Sequence, residues 1–254
     1  MKQFPFVTAI VLLACLVFVN AQAQSNNVSK GSEVLALPNV VLVHGAWADG
    51  SSWSKVIPLL QEKGYNVTAV QLPLTSLADD AAVTSRVLSM QNGPTILVGH
   101  SYGGVVITAA GANASNVVGL VYISAFAPDS GEVLGDLNAR MPPVSGQANI
   151  RPDVYGFLWI DPKAFPESFA QDVDPAQARV MAAVQKPLSA SIFGDKVTQA
   201  AWKSKPSWYL VSENDRIINP DLERFMAKRI GARRLSRYRP AMLHSSLTLS
   251  RLPN

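Results

Sequence analysis

Short apolar runs alternate along the chain with longer stretches whose apolar residues recur every three or four positions. Asn39-Val40-Val41-Leu42-Val43, Val67-Thr68-Ala69-Val70, Thr95-Ile96-Leu97-Val98, residues 117–124, Trp208-Tyr209-Leu210-Val211 and Leu235–Tyr238 are of the first kind. Such runs suit strands buried on both faces of a sheet. Residues 52–62 set Trp53, Val56, Ile57 and Leu60 at helical spacing before Gly64, with Pro58 as an interruption. Ser76-x-x-Asp79 reads as a capping box ahead of Val83, Val87 and Met90, and Gly93-Pro94 ends that helix. Asn219-Pro220-Asp221 supplies an N-cap, a first-position proline and an acid for a helix running to Gly231. Strand and helix alternate, which predicts an α/β fold with a mostly parallel, doubly wound sheet.

The alternation lapses between about 128 and 205. That interval holds Pro142, Pro143, Pro152, Pro162 and Pro166 among Phe157, Trp159, Phe165, Phe169, Phe193 and Trp202. It is too long for a plain loop and too apolar for disorder, and is expected to form a cap, with a helix over 174–185 as its firmest element.

The N-terminus has a different character. Lys2, an apolar run over 7–19 and Ala21-Gln22-Ala23 make a secretory signal peptide over 1–23, followed by a polar linker over 24–37 and one domain over 38–254. The apolar run has about 13 residues, short of the ~20 a spanning helix needs. Leu12-Leu13-Ala14-Cys15 allows a lipoprotein signal, but Leu16-Val17-Phe18-Val19 continues the run past the cysteine. An exported protein, periplasmic or secreted, is expected. Cys15 is the only cysteine, so cleavage after Ala23 leaves no thiol for disulfides or cysteine chemistry. The formal charge is +4, and Lys228, Arg229, Arg233, Arg234, Arg237 and Arg239 cluster near one helix end and the following strand. Cations there complement the helix dipole and stay solvated at a sheet edge, so no nucleic-acid partner is called for.

Candidate chemistry centres on Gly99-His100-Ser101-Tyr102-Gly103-Gly104, between the run ending at Val98 and the helical stretch from Val105. Strand, sharp turn and helix are the context of a G-x-S-x-G nucleophile elbow, which holds the serine in a strained conformation. Gly99 and Gly103 are needed because a side chain would collide across so tight a turn. The N–H of Tyr102 falls at the first turn of the helix, where a substrate oxyanion would form. The loop after the first strand, His44-Gly45-Ala46-Trp47, offers the N–H of Ala46 as a second donor.

A serine nucleophile needs a base, and the base needs an acid. Of three histidines, His100 adjoins the serine and points into the fold, and His44 ends a buried strand and braces its loop. His244 is left as the base, last in the order Ser, Asp, His. Asp215 follows the strand 208–211, where loops of a parallel sheet converge. Asp129 also follows a strand, but Pro128-Asp129-Ser130-Gly131 is ordinary turn chemistry.

On Val41-Leu42-Val43-His44-Gly45-Ala46-Trp47, Gly99 to Gly104, Asp215 and His244, the chain resembles α/β-hydrolase-fold proteins of the branch that contains plant methylesterases and hydroxynitrile lyases. The lyases carry threonine where Gly45 stands and lysine where Ser245 stands, and both departures favour hydrolysis. Ser101 also separates the chain from members of the fold with an aspartate nucleophile. Only ten residues follow His244, where the fold usually ends in a helix. The resemblance implies a serine hydrolase of small carboxylic esters that needs no cofactor or metal. A lactonase, amidase or lyase on the same site, or a ligand-binding protein that keeps the triad without turnover, are the other readings.

Overall fold

The computed structural model describes residues 37–233 and the backbone of 235–238. The leader over 1–23, nearly all of the linker, and His244 lie outside the described residues.

In chain order the main elements are β1 (Asn39–Val43), α1 (Ile57–Gln61), β2 (Val67–Ala69), α2 (Leu77–Ser89), β3 (Thr95–Ser101), α3 (Gly103–Ala110) and β4 (Val117–Ala125). An insertion follows with α4 (Leu134–Asn138), β5 (Ile150–Pro152), β6 (Phe157–Ile160), α5 (Phe165–Phe169), α6 (Pro175–Val184) and β7 (Leu188–Ser189). The chain then returns through β8 (Ser207–Ser212), α7 (Pro220–Arg229) and β9 (Leu235–Tyr238). The main sheet runs β2-β1-β3-β4-β8-β9 with every pair parallel.

The unbroken apolar runs have a direct consequence. Val40 and Leu42, Ile96 and Val98, Val121 and Ile123, and Trp208 and Leu210 enter one core. Their neighbours Val41 and Val43, Leu97, Leu120 and Tyr122, and Tyr209 and Val211 enter the other. Side chains alternate across a strand, so a sheet with two apolar faces acquires two cores. Helices α2, α3 and α7 bury Leu77, Leu88, Val106, Ile107, Leu222 and Met226 in the larger one. The chain adds β2 on one side of β1 and β3 on the other. The loops after β1 and β3 therefore meet at the point where strand order reverses, the place where open α/β sheets hold their ligands.

One expectation is corrected. The single helix over 52–62 is instead a 3-10 turn at Gly50–Trp53, capped by Asp49, whose carboxylate accepts the Ser51 N–H at 2.6 Å, and then the short α1. Pro58 has no N–H and disfavours helical backbone before it, so the helix begins around it rather than running through. A helix capped by Asp174 is present as α6, but there is also an antiparallel sheet β5-β6-β7 whose two to four residues per strand are too few for alternation to register. At α2, Ser76 Oγ accepts the Asp79 N–H at 3.1 Å, while the Asp79 carboxylate accepts the hydroxyls of Ser76 and Thr75.

The insertion bonds to loops at the C-terminal ends of three strands. Trp47 Nε1 donates to Leu158 O at 2.9 Å, Ser189 N to Leu74 O at 2.9 Å, and Gly146 N to Arg216 O at 2.9 Å.

Candidate active site

Ser101 ends β3 with φ +53°, a left-handed conformation that costs an L-residue roughly 1–2 kcal/mol. The glycines around it make the turn possible. A Cβ on Gly99 would stand 2.6 Å from Gly103 O, and one on Gly103 would stand 2.5 Å from Val43 O. Both values lie below any real contact, so the elbow fits against β1 only with bare backbone there.

The loop after β1 closes on the serine from the other side. A Cβ on Gly45 would lie 2.7 Å from Ser101 Cβ and 3.2 Å from its Oγ. Ala46 follows directly. Neither its N–H nor that of Tyr102 meets a backbone acceptor among the described residues. Tyr102 is the N-cap of α3, so its N–H sits at the positive end of that helix dipole.

The Tyr102 side chain has a purpose that sequence reasoning assigned only to its backbone. It is buried, and its hydroxyl donates to Asp80 Oδ2 at 2.7 Å, while Asp80 Oδ1 accepts the Leu74 N–H at 2.8 Å. Burial raises the Asp80 carboxyl above its ordinary range, against these two hydrogen bonds. The adjacent Asp79 drew attention as the capping residue. Asp80 lies with Leu77, Thr84 and Leu88 on the buried face of α2.

His44 is committed elsewhere, and His100 is buried in the core. His44 is fully buried; its Nε2 accepts the Leu72 N–H at 3.0 Å, so its proton is on Nδ1, which donates to Gly45 O at 2.8 Å. Burial pushes its pKa down to about 4. A neutral ring with its lone pair occupied braces the loop and cannot act as a base. His100 is buried edge-on to Trp53 at 6.3 Å between centroids, and burial likewise lowers it to about 4.

The two aspartates after strands differ sharply. Asp129 is partly exposed, pairs with Lys203 at 2.5 Å and accepts the Ser130 N–H, which uses it fully in a surface turn. Asp215, after β8, is buried, and its Oδ1 accepts the N–H groups of Ile217 at 2.7 Å and Ile218 at 2.9 Å. Its Oδ2 is buried and receives no N–H or alcohol hydroxyl among the described residues. Burial pushes this carboxyl up to about 7, against the two backbone N–H groups and the neighbouring Glu223 carboxyl. A buried carboxylate oxygen without a donor is costly unless a hydrogen-bonding group reaches it.

A model of the alpha/beta hydrolase family matches residues 40–240. The chain belongs to the alpha/beta hydrolase family. Its likenesses place this alpha/beta hydrolase close to the plant methylesterase branch. It is 26% identical over 230 residues to Salicylic acid-binding protein 2 of Nicotiana tabacum, covering 75% of this chain and 84% of that protein. It is 33% identical over 126 residues to the carbendazim hydrolyzing esterase of Nocardioides sp. (strain SG-4G), covering 44% of this chain and about half, 52%, of that esterase's length. The crystal structure of a pyrethroid hydrolase from Sphingobium faniae JZ-2 superposes with a TM-score of 0.67 at 21% identity, covering 81% of this chain and 90% of that one. That last likeness is one of fold.

Within the basic C-terminal cluster of this hydrolase, Arg229 donates to Glu132 and to Ala127 O and lies 5.2 Å from the Phe225 ring, and Arg233 lies 5.9 Å from the Trp208 ring. Both guanidinium groups are engaged within the fold.

Proposed function

We propose that the protein hydrolyses small carboxylic esters through an acyl-enzyme, with Ser101 as nucleophile, His244 as base, Asp215 as the acid that orients it, and the N–H groups of Ala46 and Tyr102 as the oxyanion hole. The observation that carries this reading is the left-handed Ser101 at the head of α3, pressed against the loop that presents Ala46. The Oδ2 of Asp215, which receives no N–H or alcohol hydroxyl among the described residues, supports the rest, being suited to accept a histidine Nδ1–H.

In this mechanism Ser101 Oγ attacks the ester carbonyl while His244 accepts its proton, and the oxyanion of the tetrahedral intermediate takes the two N–H bonds. The protonated His244 gives that proton to the departing alkoxide, which leaves as the alcohol. Water then attacks the acyl-Ser101 with His244 again as base, and the carboxylic acid is released with Ser101 restored. The insertion bonded to the surrounding loops acts as a cap that bounds the acyl and alcohol groups. The close approach of Gly45 to Ser101 leaves no room for the threonine found in the lyases, which favours hydrolysis. We further infer that residues 1–23 direct export and that the mature chain begins near Gln24.

Hydrolysis of p-nitrophenyl esters by the mature protein, with Ser101→Ala as control, tests the reading. Turnover that survives Ser101→Ala refutes it.

A further inference from the structure

Behind Asp215 lies a second carboxyl. Glu223, in the first turn of α7, is fully buried. Its Oε2 accepts the Ser212 N–H at 3.0 Å, and its carboxyl lies against that of Asp215. Neither Glu223 Oε1 nor Asp215 Oδ2 has an N–H or hydroxyl donor among the described residues.

Among the described residues, Arg224 draws the Glu223 carboxyl down only weakly. Arg224, the adjacent cation, is turned to Glu213 and to Asp221, the latter at 2.5 Å. Tyr209 donates its hydroxyl to Ala125 O. Asp172, ahead of α6, adds a negative charge facing Asp215. Two buried carboxyls in contact, with no cation paired to either among the described residues, do not both ionise. Asp215 receives two backbone N–H groups and Glu223 one, so the charge settles on Asp215 and the proton on Glu223.

We propose that Glu223 is a positioning residue of the triad: it keeps its proton at neutral pH, donates it in a hydrogen bond to Asp215, and thereby fixes Asp215 as the carboxyl that presents negative charge to the histidine. The inference rests on reading Asp215 as the triad acid. Burial raises Glu223 well above the ordinary carboxyl range, in keeping with a retained proton. Because Glu223 needs only to donate, not to carry charge, an amide of the same shape can replace it.

The test combines kinetics with infrared spectroscopy of protein carrying ¹³C-carboxyl glutamate. At pH 8 a glutamic-acid carbonyl stretch is expected in the native protein and is lost in Glu223→Gln. Glu223→Gln is expected to keep kcat within about threefold, whereas Glu223→Leu lowers kcat about ten- to a hundredfold with KM little changed. Absence of the band overturns the proposal, as does a Glu223→Gln enzyme as inactive as Asp215→Asn, which would put the working charge on Glu223. A folded, fully active Glu223→Leu enzyme overturns it too; if Glu223→Leu fails to fold, the band and the Gln variant decide. The band does not depend on ester turnover, so failure of the esterase reading shows separately, in the Ser101→Ala control.

Discussion

Replacing Asp215 by asparagine separates the chemical use of this carboxyl from its cost to the fold. Burial raises it from 3.8 to about 7. A pKa raised in the folded state means that folded protein holds the proton more tightly than unfolded chain does. The stability that goes with this is complete below about pH 4 and is lost as pH rises to 7. The interval is about three pH units at about 1.4 kcal/mol each, so at pH 8 the ionised carboxyl costs the folded state up to about 4 kcal/mol. Asparagine keeps an Oδ1 to accept the Ile217 and Ile218 N–H groups and carries no charge. Asp215→Asn is therefore expected to be more stable than the native protein at pH 8, by as much as ~4 kcal/mol where no imidazolium offsets the charge, and about equal to it at pH 4. Turnover should fall about 10⁴-fold, the loss seen when a triad acid becomes an amide. Urea unfolding followed by tryptophan fluorescence at the two pH values measures the first effect, and ester hydrolysis the second. A variant less stable than native at pH 8, or equally stabilised at both pH values, would refute the reasoning. Asp129→Asn, at a surface turn paired with Lys203, should leave both readouts unchanged.

Four further outcomes are expected. Ser101→Ala and His244→Ala should each abolish most turnover, and the double variant should be hardly slower than either, because a triad acts as one unit; multiplied losses in steady-state kinetics would contradict this. Gly45→Ala places a Cβ 2.7 Å from Ser101 Cβ and should lower kcat by up to about 10²-fold through displacement of the nucleophile, with circular dichroism showing a retained fold. Tyr102→Phe strips the hydroxyl from Asp80 and should cost about 1–3 kcal/mol in urea unfolding; the loss should shrink in an Asp80→Asn background, since residues in contact couple. N-terminal sequencing of exported protein should begin at or near Gln24, and a chain starting at a lipidated Cys15 would exclude that cleavage.

The central sheet was legible because its strands are apolar on both faces, so each run had one environment to fit. Leu235–Tyr238 was found at its full bounds, and the strand read over 117–124 extends only to Ala125. The elbow was legible for a related reason: bare backbone is required at Gly99 and Gly103, and that requirement is written in the sequence as glycine. Asp80 and Glu223 were not legible. Each is an acidic residue near a helix start, where acids are ordinary company for the dipole, and only the packing of α2 and α7 reveals that the side chains turn inward. The insertion was read as apolar and structured, but its short antiparallel sheet is held by tertiary contacts such as Gln185, whose side chain bonds both the N–H and the carbonyl of Ile160. No local pattern announces a contact between residues so far apart in sequence.

On the proposed reading, those contacts make the insertion part of the site rather than only its cover. The Asx turn of Asp215 depends on where the N–H groups of Ile217 and Ile218 point. That backbone is held from outside: Gly146 N donates to Arg216 O at 2.9 Å, and Gln147 Nε2 donates to Ile217 O at 2.7 Å. Gly146 must be glycine, since a Cβ there would strike Arg216 O. The loop after β1 is held in the same way. Trp47 sits at φ +56°, its Nε1 bonded to Leu158 O and its ring edge-on to Phe169 at 6.0 Å. One inserted segment thus clamps both the loop that presents Ala46 and the loop that presents Asp215. Backbone as strained as Trp47 and Ser101 persists only where surrounding contacts over-determine it. On the proposed mechanism, exchanging the insertion for a foreign one would then disturb the proposed oxyanion donor and acid together, lowering kcat in p-nitrophenyl ester hydrolysis as well as changing which ester fits.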